Sequence, residues 1–277
     1  MKHKRLVFTA VLIALSLLLG ACGSADISKQ SAYDLIRNAV EKTSKLDSYE
    51  MEMNVRSVTE VFGEKIETPI SFNVKAEGAS GSSLKASGKM AMSMLGTNID
   101  ADYYQENGTL YLAMDGAKFK LAANSQEAKT LTFSDTEKSI LKALPEDVVK
   151  EVTNIQNDDG SRTVSVMIDG EKFSEIFREL ISSYSNEETY ANMVNDLKTG
   201  IDISSANVTV TVLPSGYVSE YKLQFDMNVR LSSVSQNMDF STELSLDASI
   251  AFKDPGSKVT VTAPSDLSEY QDISKKQ

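Results

Sequence analysis

The sequence predicts an α+β fold that consists mainly of a large, curled antiparallel sheet. Apolar and polar residues alternate through several long runs, and the cleanest run covers about 15 residues from Met238 to Phe252, roughly 50 Å of strand. The dipeptides Asn107-Gly108 and Asp115-Gly116 are typical of hairpin turns between such runs. Shorter segments with apolar residues three and four apart indicate a small number of helices.

The first 21 residues have the features of an export signal. A basic start precedes an apolar run from Leu6 to Leu19, which is shorter than the roughly 20 residues that cross a membrane. The run ends at Leu19-Gly20-Ala21-Cys22, which resembles a bacterial lipobox, and Cys22 is the only cysteine. We therefore expect residues 1–21 to be a lipoprotein signal peptide and Cys22 to carry a diacylglyceryl group. The alternative is an ordinary secretory signal followed by an unmodified cysteine.

The charge of the chain limits its partners. It has 28 Lys and Arg against 39 Asp and Glu, a net charge of -11. The predicted signal peptide contains Lys2, Lys4 and Arg5 and no acidic residue, so the rest of the chain has a net charge of -14. This acidic balance argues against a nucleic-acid partner, which would require clustered Lys and Arg. It also argues against attachment to anionic headgroups by charge, so we expect acyl chains to hold the protein on the membrane.

The positions of the rare residues exclude several kinds of catalysis. The only histidine, His3, lies in the predicted signal peptide, which excludes Ser-His-Asp and Cys-His catalysis and zinc sites with His or Cys ligands. Most acidic residues fall at polar strand positions or in turns, as Asp100 and Asp102 do. The stretch Asn157 to Gly160 lacks the ligand spacing of a calcium-binding EF-hand and is better explained as a turn. We expect no enzyme activity, no catalytic residue, no metal and no cofactor.

The first predicted elements are a linker and a helix. Residues 22–31 comprise the lipidated cysteine and a short flexible linker of about 17 Å. Apolar residues recur at helical spacing from Tyr33 to Val40, with Ser31 as the expected N-cap and Asp34 as its partner.

The next segments alternate between strands and helices. We expect strands with one apolar face at Tyr49–Val55, 70–76, 84–94, 99–103, 110–114, 164–168, 208–212, 221–231 and 238–252. Helices are predicted at 134–144, 173–184 and 190–200. No Pro- or Gly-rich break divides the body, so residues 32–265 are expected to form one domain, followed by a polar tail at 266–277.

The lipobox, the helix, the long one-sided strands, the helical insert and the further long strands follow one another in an order that resembles the LolA/LolB-type lipoprotein carriers. That superfamily includes the mycobacterial LppX and LprG lipid-binding lipoproteins, and the chain is also similar to lipoproteins of Gram-positive bacteria with this fold. The resemblance implies a curved antiparallel half-barrel with helices packed on its concave face. No functional residue carries over, because the resemblance rests on element order and not on a motif of the body.

Methionines at inward strand positions indicate an adaptable apolar surface. We expect a concave ligand-binding face that includes Met51, Met53, Met90, Met92, Met94, Phe225, Met227, Met238 and Phe240. The predicted function is a monomeric lipoprotein, anchored at the extracytoplasmic face of the cell membrane, that binds a lipid or another apolar ligand. The alternative is an envelope sensor or protein-interaction module with a closed core and no ligand.

Overall fold

The structure is a computed structural model that describes residues 29–61, 63–81, 83–94, 96–123, 148–175, 200–233 and 238–273. Within these ranges, the side chains of residues 29, 61, 94, 231–233 and 238–240 lie outside the description. The predicted signal peptide, Cys22 and the predicted helix at 134–144 also lie outside the described residues.

The described chain contains one long helix, twelve strands and short helical turns. Residues 170–175 are also helical and overlap the start of the helix predicted at 173–184. The rest of that prediction, and most of the helix predicted at 190–200, fall on residues 176–199, which lie outside the description. The elements in chain order are α1 (Lys29–Thr43), β1 (Ser48–Val61), β2 (Glu64–Glu77), β3 (Lys85–Met94), β4 (Thr97–Glu106), β5 (Thr109–Met114), β6 (Ala117–Ala122), β7 (Val149–Gln156), β8 (Arg162–Ile168), β9 (Ile201–Val212), β10 (Val218–Ser233), β11 (Met238–Lys253), a 3₁₀ turn (Leu267–Glu269) and β12 (Gln271–Asp272).

All twelve strands belong to one open, curved sheet. Their order is β12-β6-β5-β4-β3-β2-β1-β11-β10-β9-β8-β7, and every neighbouring pair is antiparallel except β12 with β6. The long register between β1 and β11, from Glu50 opposite Lys253 to Glu60 opposite Glu243, joins the first strands of the chain to the last ones. The prediction of a large antiparallel sheet is confirmed.

The two predicted hairpin turns are present. Asn107 and Gly108 have φ angles of 50° and 72°, and Asp115 and Gly116 have φ angles of 50° and 77°. Two consecutive positive φ angles are what a two-residue hairpin turn of type I′ requires, because its twist matches that of the strands. These turns connect β4 to β5 and β5 to β6.

The sheet has one apolar and one polar face. Residues opposite one another in the register lie on the same face, so the register assigns each residue to one of the two faces. The apolar face carries the cross-strand row Val164, Val210, Tyr221, Ile250, Met53, Phe72, Met90 and Ala101 and the residues that alternate with it. The polar face carries the row Ser165, Thr209, Lys222, Ser249, Asn54, Ser71, Ala91 and Asp100 and the residues that alternate with it.

Helix α1 packs against β7, β9 and β10. Its small and apolar residues Ala32, Ile36 and Ala39 join the buried cluster formed by residues such as Val208 and Val210 of β9. The end of the helix is fixed to the sheet by Thr43, whose buried hydroxyl donates to the Ala39 carbonyl at 2.8 Å and accepts from the Val218 amide at 2.9 Å. Burial of this stripe explains why the helical spacing was visible in the sequence.

The start of α1 differs from the prediction. The described helix already includes Lys29, so Ser31 lies inside the helix and is not its N-cap, and residues 29–31 are helical and not a linker. Side-chain contacts support this first part of the helix, since Gln30 donates to Asp34 at 3.2 Å and Arg37 pairs with Asp34 at 2.8 Å. Such polar residues give no periodic apolar signal, so the sequence did not locate the start.

The segment after β11 crosses the polar face and does not extend away as a polar tail. The Val261 amide donates to the Glu77 carboxylate at 3.2 Å, and the Tyr270 ring contacts the Tyr111 ring edge to face at 5.4 Å. Lys118 pairs with Asp266 at 2.6 Å, and β12 adds to the edge of β6. One buried aromatic ring and a few ion pairs hold residues 266–273 here, and their polar composition did not predict this docking.

Candidate ligand-binding surfaces

The middle of the apolar face is less covered by the described chain than the part near α1. The buried residues of its central apolar cluster are Met53, Phe72 and Ile250, with 7%, 8% and 9% of their surface exposed. The residues packed around them are only half-buried, namely Met51, Val55, Ile70, Met90, Tyr221 and Phe252. In the cluster that includes α1, by contrast, Val164 and Val210 are fully buried.

Tyr103 extends the apolar face toward β5 and β6. It lies opposite Gly88 of β3 and packs against the buried cluster of Leu110, Leu112 and Leu121. Burial of the ring raises the pKa of the Tyr103 hydroxyl above its usual value, because the phenolate would lose its hydration. The hydroxyl therefore stays neutral at physiological pH.

The structure brings some of the predicted ligand-binding residues together and separates others. Met51, Met53 and Met90 belong to one cluster, and Met92 is half-buried on β3. Phe225 and Met227 belong to the cluster that contains α1 and are almost fully buried. Met94, Met238 and Phe240 lie in strands, but their side chains are outside the described part of the chain. Ligand binding by these nine residues stays a prediction.

The polar face contains a groove that the sequence analysis did not identify. Its volume is about 700 Å³ and it crosses six neighbouring strands, β10, β11, β1, β2, β3 and β4. Residues of the polar face that line it are Asn54, Arg56, Pro69, Ser71, Ala91, Ser93, Asn98, Asp100, Lys222, Gln224, Asp247 and Ser249. The sequence contains an indication of this groove. These strands carry the small residues Ser, Asn and Ala at positions where a solvent-facing strand often carries the longer Lys or Glu.

A charged network marks one side of this groove. Arg56 donates to both carboxylate oxygens of Glu67, at 2.7 and 3.1 Å, and its other terminal nitrogen lies 3.7 Å from Asp247. Gln224 donates to Asp247 at 2.9 Å. The hydrogen bonds with Glu67 raise the pKa of Arg56 and those with Arg56 lower the pKa of Glu67, so both groups remain charged. The guanidinium therefore contacts carboxylates on both neighbouring strands, Glu67 on β2 and Asp247 on β11.

The described residues contain no group of three or more His, Cys, Asp or Glu side chains that could hold a metal ion. Across the same residues, none of the helices combines the length and the apolar composition that a membrane crossing requires.

The described elements define an α+β protein that consists mainly of one open, curved antiparallel sheet. The chain belongs to the family DUF6612, described as a family of unknown function, whose model matches residues 31–251. No curated protein matches the chain.

Three solved structures are similar to parts of the chain. LprF from Mycobacterium bovis aligns with a TM-score of 0.46 and 12% identity over 85% of this chain and 97% of that one. A DUF1329 family protein from Desulfovibrio piger aligns with a TM-score of 0.27 and 9% identity over 83% and 94%. A domain described as an outer membrane lipoprotein-sorting protein, from Vibrio parahaemolyticus, aligns with a TM-score of 0.22 and 6% identity over 83% and 95%. TM-scores below 0.5 do not define a shared fold, so the fold of this chain is described by its own sheet order.

Proposed function

We propose that this protein is a lipoprotein, anchored by Cys22 at the extracytoplasmic face of the membrane, that holds an acyl chain on its apolar sheet face. In this proposal the sheet forms a half-barrel and the apolar face is its concave side. The protein acts by binding and carries out no chemical reaction.

The observation that carries the proposal is the difference in burial along the apolar face. Close to α1 most residues of the cluster are buried, whereas in the central cluster most are only partly buried, and Met51, Val55 and Met90 retain accessible surface. Removing apolar surface from water contributes about 25 cal/mol per Å², so a bound acyl chain would be stabilised there. Methionine side chains are flexible and polarizable, which suits a ligand without a fixed shape.

The predicted lipobox supports the proposal that acyl-chain binding takes place at the membrane surface. A thioether-linked diacylglyceryl group would hold the protein stably at the bilayer, since each buried CH₂ contributes about 0.8 kcal/mol. The apolar face would then lie close to the source of acyl chains. Without residues 1–21, whose charged residues are Lys2, Lys4 and Arg5, the net charge is -14, which would keep the surface of the protein from binding anionic headgroups by itself.

Photocrosslinking tests whether an acyl chain contacts the apolar face near Met90. The full chain is placed in vesicles of phosphatidylcholine that carries a diazirine on one acyl chain, and crosslinked peptides are identified by mass spectrometry. We expect crosslinks on β1, β2 and β3. Met90→Gln should reduce them at least about fivefold, because an unpaired amide in an apolar contact costs about 1–3 kcal/mol.

Lys89→Gln is the matched control, because Lys89 is the neighbouring residue and lies on the polar face. It should leave the crosslinking unchanged. Equal crosslinking of the two variants, or crosslinks confined to peptides next to Cys22, would reject the acyl ligand. Either result would favour the sensor with a closed core.

A further inference from the structure

We propose that the groove on the polar face is a second binding site, which takes a linear carbohydrate chain. The ligand is an uncharged glycan that offers hydroxyl and amide groups at regular intervals. The site lies on the polar side of these strands, although Val55, Ile70, Met92 and Ala248 also line it, and it does not depend on the proposed acyl ligand.

The groove is the central part of a long cross-strand row of mostly small polar side chains. The row runs perpendicular to nine strands, from β7 to β4, through Thr153, Ser165, Thr209, Lys222, Ser249, Asn54, Ser71, Ala91 and Asp100. With neighbouring strands about 4.8 Å apart, the six strands of the groove span about 24 Å. Such a track is long and narrow, as a linear polymer is.

Several polar side chains that line the groove have hydrogen-bonding groups that no described protein group uses. Within the part of the chain that the structure describes, the side chains of Ser71, Ser249 and Asn98 make no hydrogen bond to the protein. Each serine hydroxyl can donate and accept, and the asparagine amide can do both as well. A sugar hydroxyl or an N-acetyl amide has the same dual capacity, so the match is chemical as well as geometric.

The charges of the lining favour a neutral ligand. Two cations, Arg56 and Lys222, are balanced by two anions, Asp100 and Asp247. The cations are already occupied, since Arg56 pairs with Glu67 at 2.7 Å and Lys222 pairs with Glu220 at 2.9 Å. An anionic polymer would therefore find no free cation among these lining residues and would be repelled by the net charge of the chain without residues 1–21, which is -14.

The position of the groove favours a glycan over a peptide. Extended peptides bind sheets by adding a strand at an edge, where backbone groups are free. The groove lies in the middle of the sheet, and the strands that form its floor are paired on both sides, as β1 is with β2 and β11. Recognition here must come from side chains, which suits a ligand with many hydroxyl groups.

The lining residues include no aromatic ring. Hydrogen bonds to a solvated groove exchange for bonds to water and have a small net contribution each. We therefore expect saturable binding in the millimolar range.

Ligand-observed NMR on the full chain tests this site. The protein is solubilised in a detergent without a sugar headgroup and titrated with chitohexaose and, separately, with cellohexaose. We expect at least one of the two to show saturation transfer and saturable binding. Ser71→Lys and Ser249→Lys, which place a long charged side chain on the floor, should each weaken that binding about tenfold or more.

Asn73→Lys is the matched control, because Asn73 is exposed on the same face of β2, two residues from Ser71, and does not line the groove. It should keep the wild-type affinity, and melting curves check that all three variants fold. The proposal is overturned if neither hexasaccharide binds saturably, or if Ser71→Lys and Ser249→Lys bind as Asn73→Lys does. Binding of an uncharged Gly/Ser peptide of similar length, with no binding of either sugar, would also overturn it and would assign the groove to a protein ligand.

Discussion

Gly88 on β3 shows how a single residue shapes the apolar face. A Cβ atom at this position would lie 1.8 Å from the Asn73 carbonyl oxygen and 2.8 Å from Cε1 of Tyr103. The backbone of β2 and the Tyr103 ring therefore occupy the space that a side chain would need. Its φ angle lies outside the left-handed region, so the requirement for glycine here is steric.

We expect Gly88→Ala to destabilise the protein by about 1–3 kcal/mol, because the methyl group must displace a strand or the Tyr103 ring. Urea unfolding followed by circular dichroism measures this change. Ser87→Ala, on the polar face of the same strand, is the control and should stay within about 0.5 kcal/mol of the wild type. Equal stability of the two variants would contradict the close packing of Tyr103 on Gly88.

Alternation in the sequence was enough to place individual residues on a face but not to choose their neighbours. Met51, Met53 and Met90 were predicted to share a face and do share a cluster. Phe225 and Met227 share that face, yet they pack in the cluster of α1. Period-two patterning fixes only the side of the sheet, whereas the contacts of a residue depend on strand order.

Among the elements, those with strong local signals were predictable. The long strands and the Asn-Gly and Asp-Gly turns are present as expected, because twist and alternation are local properties. The C-terminal segment was not predicted, since its contacts with Lys118, Tyr111 and Glu77 join residues far apart in the sequence. Its own residues carry no periodic pattern.

The docking of this segment should depend on pH through Asp266. The Lys118 ammonium donates a hydrogen bond to Asp266 and lowers its pKa below the ordinary value of 3.8. A group with a lowered pKa in the folded state stabilises that state above its unfolded pKa, and this contribution is lost as the pH falls through the folded pKa. The ion pair thus holds the segment at neutral pH and weakens in acid below about pH 4.

We expect Lys118→Met to weaken the docking at neutral pH and to remove most of its acid sensitivity. Hydrogen exchange of the Ile273 amide, which donates to the Lys120 carbonyl at 3.1 Å, reports on the docking. Lys120→Met removes a lysine from the same face of the same strand and should preserve both the protection and its loss in acid. Acid sensitivity that persists in Lys118→Met would show that another group controls the segment.

At the scale of the whole molecule, the decisive feature is the pairing of β1 with β11. This pairing joins β1–β6 to β7–β11 in one sheet and places the groove and the central apolar cluster on opposite sides of the same strands. No local pattern predicts it, because any long alternating strand could pair with any other. The sequence therefore predicted an apolar face but not the groove behind it.

The two faces suit two different environments. In the two proposals, an acyl chain binds the apolar face and a hydrated glycan binds the polar face. A lipid anchor at Cys22 would keep both faces near the membrane surface. The proposed function depends most on whether a lipid occupies the apolar face of the isolated protein.

Mass spectrometry of the full chain purified from bacterial membranes tests this most directly, with the same sample measured under native and denaturing conditions. The denatured mass should correspond to a chain that begins at a diacylglyceryl-modified Cys22. The native mass should exceed it by one lipid, which organic extraction then identifies. Native and denatured masses that agree, even after incubation with phospholipid and fatty acid, would contradict an acyl ligand and indicate a closed core.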